Sequence, residues 1–337
     1  MSTMTSTGST SSGSARTEAD RGRGLRLGGM NWLVWRQHRA AYWTLAAAAA
    51  IAVAVMVYQR QQMMTYLDGY DYPHLKEGWE EKFDQAPLNS VAQLVQVLPV
   101  LIGVFIGAPL LAGDLESGTA KLVSTQSDSR VRWLTTKLGV TALVVVVCTT
   151  AVSAAFTWWW SPVNSSSYVL SWFADAGFDS SGPMPVALTL LNVVAGAAIG
   201  MLLRRTLLSM VVTLGFAAAL WLVWSHFRMS LGNAVTLTTH NGVSGENSYP
   251  HIPDTAYLVD QSYLTASGDT IGWGSCNEAT EKATNACLEK AQVVGWSVDY
   301  IPMSQFSGMQ WLGASILLAL TAGIAAFIIF WGRKRVV

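Results

Sequence analysis

Six runs of about twenty apolar residues recur along the chain: Ala40 to Tyr58, Val91 to Ala112, Leu138 to Trp160, Met184 to Leu203, Thr206 to Ser225 and Met309 to Trp331. Each is long enough, as a helix, to cross roughly 30 Å of hydrocarbon with every backbone amide paired inside the segment. Only Arg204 and Arg205 separate the fourth run from the fifth, which predicts a tight helical hairpin. Trp158, Trp159, Trp160, Trp221, Trp224, Trp311 and Trp331 lie near run ends, where an amphipathic indole favours the headgroup layer. The pattern predicts an all-α membrane protein with six transmembrane helices and a soluble extracellular domain between the fifth and sixth.

The polar stretches complete the plan. Residues 1–29 are Ser, Thr, Gly and Arg without apolar periodicity, the composition of a disordered tail. Apolar sequence begins only after residue 30 and runs on to Tyr58, so the first run is expected to be retained rather than cleaved as a signal peptide. Residues 30–39 form a short amphipathic segment. Residues 40–225 hold spans one to five, with a polar loop at 113–137. Residues 226–307 form the soluble domain, and 308–337 the sixth span with a basic C-terminus.

Composition agrees: 51% of residues are hydrophobic and only 12% are charged. The 21 basic and 21 acidic residues cancel, which gives no basis for nucleic-acid binding. Their placement is uneven. Fifteen of the 21 basic residues fall in the N-terminal region, the 113–137 loop, the Arg204–Arg205 turn and the C-terminus. The positive-inside rule then places both termini in the cytoplasm of a multi-pass protein of the plasma membrane, with membrane lipid as its solvent.

Cys276 and Cys287 fall in the outward domain, where disulfides persist, and a Cys276–Cys287 bridge is expected. A single helix running from 276 to 287 would hold their Cα atoms about 16 Å apart, beyond the roughly 7 Å limit for a disulfide. Either Cys276 precedes the helix and folds back along it, or the bridge does not exist. The helix itself is read from "NEATEKATNACLEKAQ", with Asn277 as its cap.

Candidate chemistry is sparse. None of the six runs contains Asp, Glu, Lys, Arg or His, and their strong polar groups include Gln93, Gln96 and Asn192, candidates for a substrate path or for interhelical hydrogen bonds. Secondary transporters and proton pumps mark their pathways with buried ionisable groups, so these classes are disfavoured. The chain has no G-x-x-x-x-G-K-[ST] phosphate loop. His226, His240, His251 and Asp254 match no metal-ligand spacing, and Ser165 to Ser167 lack a nucleophile-elbow context. A non-catalytic chain is expected, with no catalytic residues, no metal and no cofactor of its own.

One loop stands apart. "GAPLLAGDLESGTAKLVSTQSDSRVRWLTTKL" leaves the second run through Pro109 and carries Asp114, Glu116, Gly118 and Thr119 at the exit, with Leu122, Ser129 and Arg130 beyond. On charge alone, the two acids either face water or are presented to a soluble partner. The loop resembles the one after the second span of type-2 ABC transporter permeases: an acidic pair around a variable residue, Gly-Thr, a Leu-containing run and a Ser-Arg element. "WLVWRQHR" (Trp32 to Arg39), "TQSDSRVRWLTTKL" and "YIPMSQFSGMQWL" extend the similarity to an actinobacterial subgroup. Asp114 stands where that family usually has Glu.

The resemblance implies a permease subunit working with a second, identical or different, permease subunit and with separate ATP-binding cassette ATPase subunits, which would bind ATP and Mg. Asp114, Glu116, Gly118, Thr119, Leu122 and Arg130 would belong to a coupling helix docked on the ATPase. Trp32, Trp35, Arg36 and Arg39 would belong to an elbow helix along the membrane surface. The implied function is ATP-driven export of a hydrophobic or amphipathic compound. The alternative is a mechanotransmission or sensory complex whose outer domain binds an envelope partner or peptide without transport.

Overall fold

A helix pairs its own backbone N–H and C=O groups, so unbroken runs of Ala, Val, Leu and Ile fold as spans wherever water cannot serve those groups. The computed structural model describes residues 30–118, 130–166, 168–245 and 248–335. Six helices among them are long and apolar enough to cross a membrane. They comprise α1 (Met30–Asp68); a second span made of α2 (Ala86–Ile102), a five-residue π segment (Gly103–Gly107) and α3 (Ala108–Glu116); α4 (Arg130–Trp160); α6 (Met184–Leu203); α7 (Thr206–Phe227); and α9 (Phe306–Arg335). A short helix, α5 (Asp175–Ser180), precedes α6.

The spans extend past the apolar runs. The 30–39 segment, expected as a separate elbow, is the opening of one continuous 39-residue helix, α1. Within it, Arg36 lies over the Trp32 ring at 5.1 Å and Trp35 packs on Tyr42 and Trp43. The third span begins before Lys137, so that lysine, expected in a loop, belongs to the bundle.

The fourth span is the hub. α6 packs against α2, α3, α4, α7 and α9 and is buried along most of its length. Its Gly196 faces the Gly103–Gly107 stretch of the second span, and its Gly200 faces Ala108 and Ala112 just beyond it. A Cβ on Gly196 would come within 2.8 Å of the Gly103 carbonyl oxygen, and one on Gly200 within 2.4 Å of the Ala108 oxygen. The two small-residue stripes therefore close on each other within one chain. Pro99 and Pro109 both lie in the second span, where a proline can bend a helix. The irregularity lies between them: Pro109 lacks an N–H and its ring crowds the carbonyl four residues back, at Phe105, and the wide π turn absorbs both.

The expected all-α class is corrected in the region after α7. β1 (Val235–Thr238), β2 (Tyr257–Thr265), β3 (Thr270–Gly272) and β4 (Val293–Ile301) form an antiparallel sheet in the order β1-β4-β2-β3. Val235 and Leu237 alternate with Thr236 and Thr238, and Thr236 bonds Asp299 on the polar face. On the other face, Trp296 stacks against Tyr249 and Tyr263.

α8 (Glu281–Lys290) packs beside β4. Its cap is Thr280, which accepts from the Ala283 N–H at 3.3 Å, in place of the expected Asn277. Cys276 sits in a tight turn ahead of the helix and folds back to Cys287 with a Cα separation of 5.6 Å, so the bridge forms.

The sheet docks on the bundle through the 161–183 connection: Trp172 Nε1 donates to the Thr255 carbonyl at 2.6 Å and Phe173 packs on Tyr257.

Candidate functional site

The end where α1 begins and α9 finishes gathers the basic residues, and the acidic pair of the 113–137 loop meets them there. Asp114 belongs to the last turns of α3. Its Oδ1 accepts from Gln37 Nε2 of α1 at 2.6 Å, and its Oδ2 pairs with Lys137 Nζ of α4. Lys137 also donates to the Leu110 carbonyl at 2.7 Å, and its ammonium lies 5.4 Å from the centre of the Trp133 ring. The lysine is fully buried and Asp114 is 7% exposed. A lysine is found at that depth only when paired. One carboxylate thus ties spans one, two and three together.

Glu116 ties in the fifth. Its Oε2 accepts from the Thr206 N–H at 2.8 Å, an acidic cap on the first turn of α7, where the helix dipole favours negative charge. The preceding turn is set by Arg204, which closes α6 in the left-handed conformation at φ 55°. Beyond Glu116, Gly118 takes φ +73°, the left-handed position at which helices commonly stop. The pair therefore does structural work inside the chain: Asp114 is not presented outward, and Glu116 is exposed but engaged. Thr119, Leu122 and the Arg130 side chain, like the 1–29 tail, lie outside the described residues.

The corner is sealed from the bundle side by Leu110, Leu111, Trp133, Leu134, Ala197, Met201 and Ile328. A displacement of α3 at this end is therefore a displacement of α1, α4, α6 and α7 as well.

The polar groups expected inside the spans do not converge. Gln93 is exposed. Gln96 has its Nε2 buried without a hydrogen bond, close to Asp179. Asn192 is buried in the hub, donating to the Leu188 carbonyl at 2.9 Å and packing against Gly103.

A second charged cluster, at the sheet end, has no counterpart among the sequence expectations. Asp179 of α5 is 2% exposed and accepts from Trp224 Nε1 of α7 at 2.8 Å, with Arg228 Nη1 at 4.0 Å. Arg228 is itself buried, pairs with Asp175 and donates to the Phe173 carbonyl at 2.8 Å. Burial pushes the Asp179 carboxyl up to about 6, with the Trp224 N–H and the Arg228 charge pulling the other way. The available signal was the Asp175/Asp179 spacing, one helical turn apart. The helices run past the apolar stretches and take in ionisable residues at their ends, among them Asp114 and Lys137 at one and Arg228 at the other.

The family model described as "ABC-2 membrane transporter related" matches residues 46–228, more than half of the chain. The chain belongs to the ABC-2 membrane transporter related family. No curated protein and no solved structure matches it. The match takes in spans one to five and the Asp114–Lys137 corner, and it stops at Arg228, just before the sheet. Family membership makes the protein a membrane permease component of an ABC transporter.

Proposed function

We propose that this ABC-2 family protein is the membrane-spanning subunit of an ATP-driven exporter for a hydrophobic or amphipathic compound. It would act with a second permease subunit, identical or different, and with separate ATPase subunits that bind ATP and Mg. The observation that carries the reading is the family match, and the corner it encloses supports it mechanically. The 113–137 segment would couple the ATPase to the spans: Asp114 and Lys137 join its two ends, and Glu116 passes any movement to α7. The roles of Gly118, Thr119, Leu122 and Arg130 in docking, and of Trp32, Trp35, Arg36 and Arg39 at the membrane surface, are part of the same proposal. So are the cytoplasmic placement of both termini in the plasma membrane and the extracellular placement of the sheet.

In this reading Asp114 acts as an internal strut and Glu116 as the movable contact. The test is co-purification of the full chain with a candidate ABC ATPase in nanodiscs, comparing wild type with Glu116→Ala. Retained assembly with weaker permease-dependent stimulation of hydrolysis is expected. Unchanged stimulation would remove Glu116 from coupling. Export by the purified chain alone, in liposomes without nucleotide, would remove the ATP-driven reading altogether.

A further inference from the structure

A groove of about 840 Å³ opens between α4, the turn entering α6, and α9. It lies at the sheet end of two antiparallel spans and runs from Ser161 to Thr150 along α4 and from Ser307 to Leu318 along α9, about 16 Å at 1.5 Å per residue. Its volume falls in the range of ligand sites. The walls change character along that length. Ala154, Val186, Ala187 and Leu318 dominate its body, with the hydroxyls of Thr150 and Ser153 among them, whereas Ser161, Asn164 and Gln310 stand toward the mouth beside the exposed indoles of Trp158 and Trp311. Exposed indoles at span ends mark the headgroup layer, so the polar mouth sits at that depth and the apolar body beneath it.

The mouth is built rather than incidental. Gln310 is 4% exposed, and its Nε2 is committed to the Phe178 and Ser181 carbonyls and to Ser181 Oγ. Its Oε1 accepts no hydrogen bond among the described residues and is held against Gly182, where a Cβ would approach it to 2.5 Å. That turn takes φ +59° at Gly182 and is fixed by Thr157 Oγ1 and Ser153 Oγ. The Asn164 amide likewise has no partner among the described residues. An acceptor left open at the mouth of a cavity favours a ligand that donates to it.

Charge narrows the class. No described residue lining the groove ionises. Arg60 lies outside the groove, at Trp158, where it stacks 4.1 Å over the ring and donates to the Trp158 carbonyl. A phosphate or carboxylate headgroup seated in the groove would lose hydration without meeting a charged partner among the described lining residues.

We infer that this groove binds a membrane amphiphile with an uncharged, hydroxyl- or amide-bearing headgroup, its apolar chain lying between α4 and α9 and its head donating to Gln310 Oε1. As a substrate site, it rests on the permease reading and narrows the cargo to neutral amphiphiles entering from the sheet-end leaflet.

The test uses the full chain in nanodiscs, without nucleotide or ATPase, and a monoacylglycerol carrying a photoreactive diazirine in its tail. Crosslinks are mapped by mass spectrometry. They are expected on peptides covering 150–161 and 307–318. Ala154→Phe, which fills the groove from an exposed position, should abolish them, and Asn164→Ala should reduce them about fivefold, the size of one lost hydrogen bond.

A lysophosphatidate probe with the same tail should label these peptides weakly. Labelling spread evenly over exposed lipid-facing positions such as Leu207 and Leu222, labelling undiminished by both variants, or equal labelling by the anionic probe would each overturn the inference. None of these outcomes bears on ATPase assembly, so the groove and the permease reading fail separately.

Discussion

At Lys137, hydropathy alone misplaces the residue. A window of apolar sequence ends at the first charge, so Lys137 reads as loop, whereas its ammonium is buried against Asp114, the Leu110 carbonyl and the Trp133 ring. The partner, 23 residues back across a polar loop, is invisible to a local pattern. The pairing makes an asymmetric prediction. Lys137→Met leaves a buried carboxylate without its countercharge and should cost about 3–5 kcal/mol, whereas the double variant Asp114→Asn/Lys137→Met should recover much of it. Thermal unfolding in detergent checks this, and equal losses in the single and double variants would contradict it. Asp179 makes a second prediction, with a sign fixed by its environment. Its carboxyl titrates near 6 in the folded chain against 3.8 normally, so the folded state favours the protonated form. Its stabilisation is fully present below about 4 and is lost as pH rises through about 6, an effect of about 3 kcal/mol. Asp179→Asn keeps an acceptor for Trp224 and removes the titration. Relative to wild type, it should therefore gain stability between pH 4 and 7, and parallel melting curves would refute the assignment.

Elements are legible in proportion to how strongly a single face or length dictates them. All six spans declare themselves because crossing hydrocarbon demands a long apolar helix, and the facing glycine stripes are readable as close-approach positions though not as each other's partners. The π segment leaves no periodic trace, since it shifts hydrogen bonds without changing residue type. β1 and β3 escape a sequence reading because they are short and largely exposed, and the nine-residue β2 and β4 because "NEATEKATNACLEKAQ" is so clearly helical that it sets the expectation for its surroundings. Thr280 rather than Asn277 caps that helix because Cys276 must first complete its own turn to meet Cys287. The hub predicts a controlled contrast within one bundle. Gly200→Ala places a methyl group against the Ala108 carbonyl and should cost about 1–3 kcal/mol through displacement of α3 from α6. Gly215→Ala in α7, where nothing lies within 4 Å, should be neutral or stabilising by up to about 1 kcal/mol. Comparable effects at the two sites, measured as unfolding midpoints, would mean that spans two and four do not meet through these stripes.

For the whole molecule, the question is whether the sheet is an appendage on a transport machine or the part that defines what the machine does. Its attachment is narrow. The chain leaves and re-enters the bundle at adjacent points: Val235 pairs with Tyr300, Gly232 abuts Ile301, and the Asn233 backbone exchanges two hydrogen bonds with the Gln305 side chain, at 2.8 and 2.9 Å. Beyond that junction, the Trp172–Thr255 hydrogen bond and the Phe173–Tyr257 contact tether it to the 161–183 connection. The family match ends at Arg228, before the first strand begins, and includes the Trp172 and Phe173 anchor, so the part of the chain that defines the family is the part the sheet sits upon. Because antiparallel partner Cα atoms lie only about 5 Å apart, replacing residues 236–299 with a short Gly/Ser linker should close without straining the bundle. The excised chain is expected to elute as a single species, to lose modest thermal stability, and to keep both assembly with the ATPase and permease-dependent stimulation of hydrolysis. Cys276 and Cys287 leave together, so no free thiol is created by the excision. If assembly survives while stimulation disappears, the sheet is the input of the device, and a sensory complex fits the protein better than an exporter. The same excised chain carrying Gly200→Ala separates that result from damage to the bundle, since destabilising the hub should lower the unfolding midpoint in either background by the same amount when the sheet and the hub are independent.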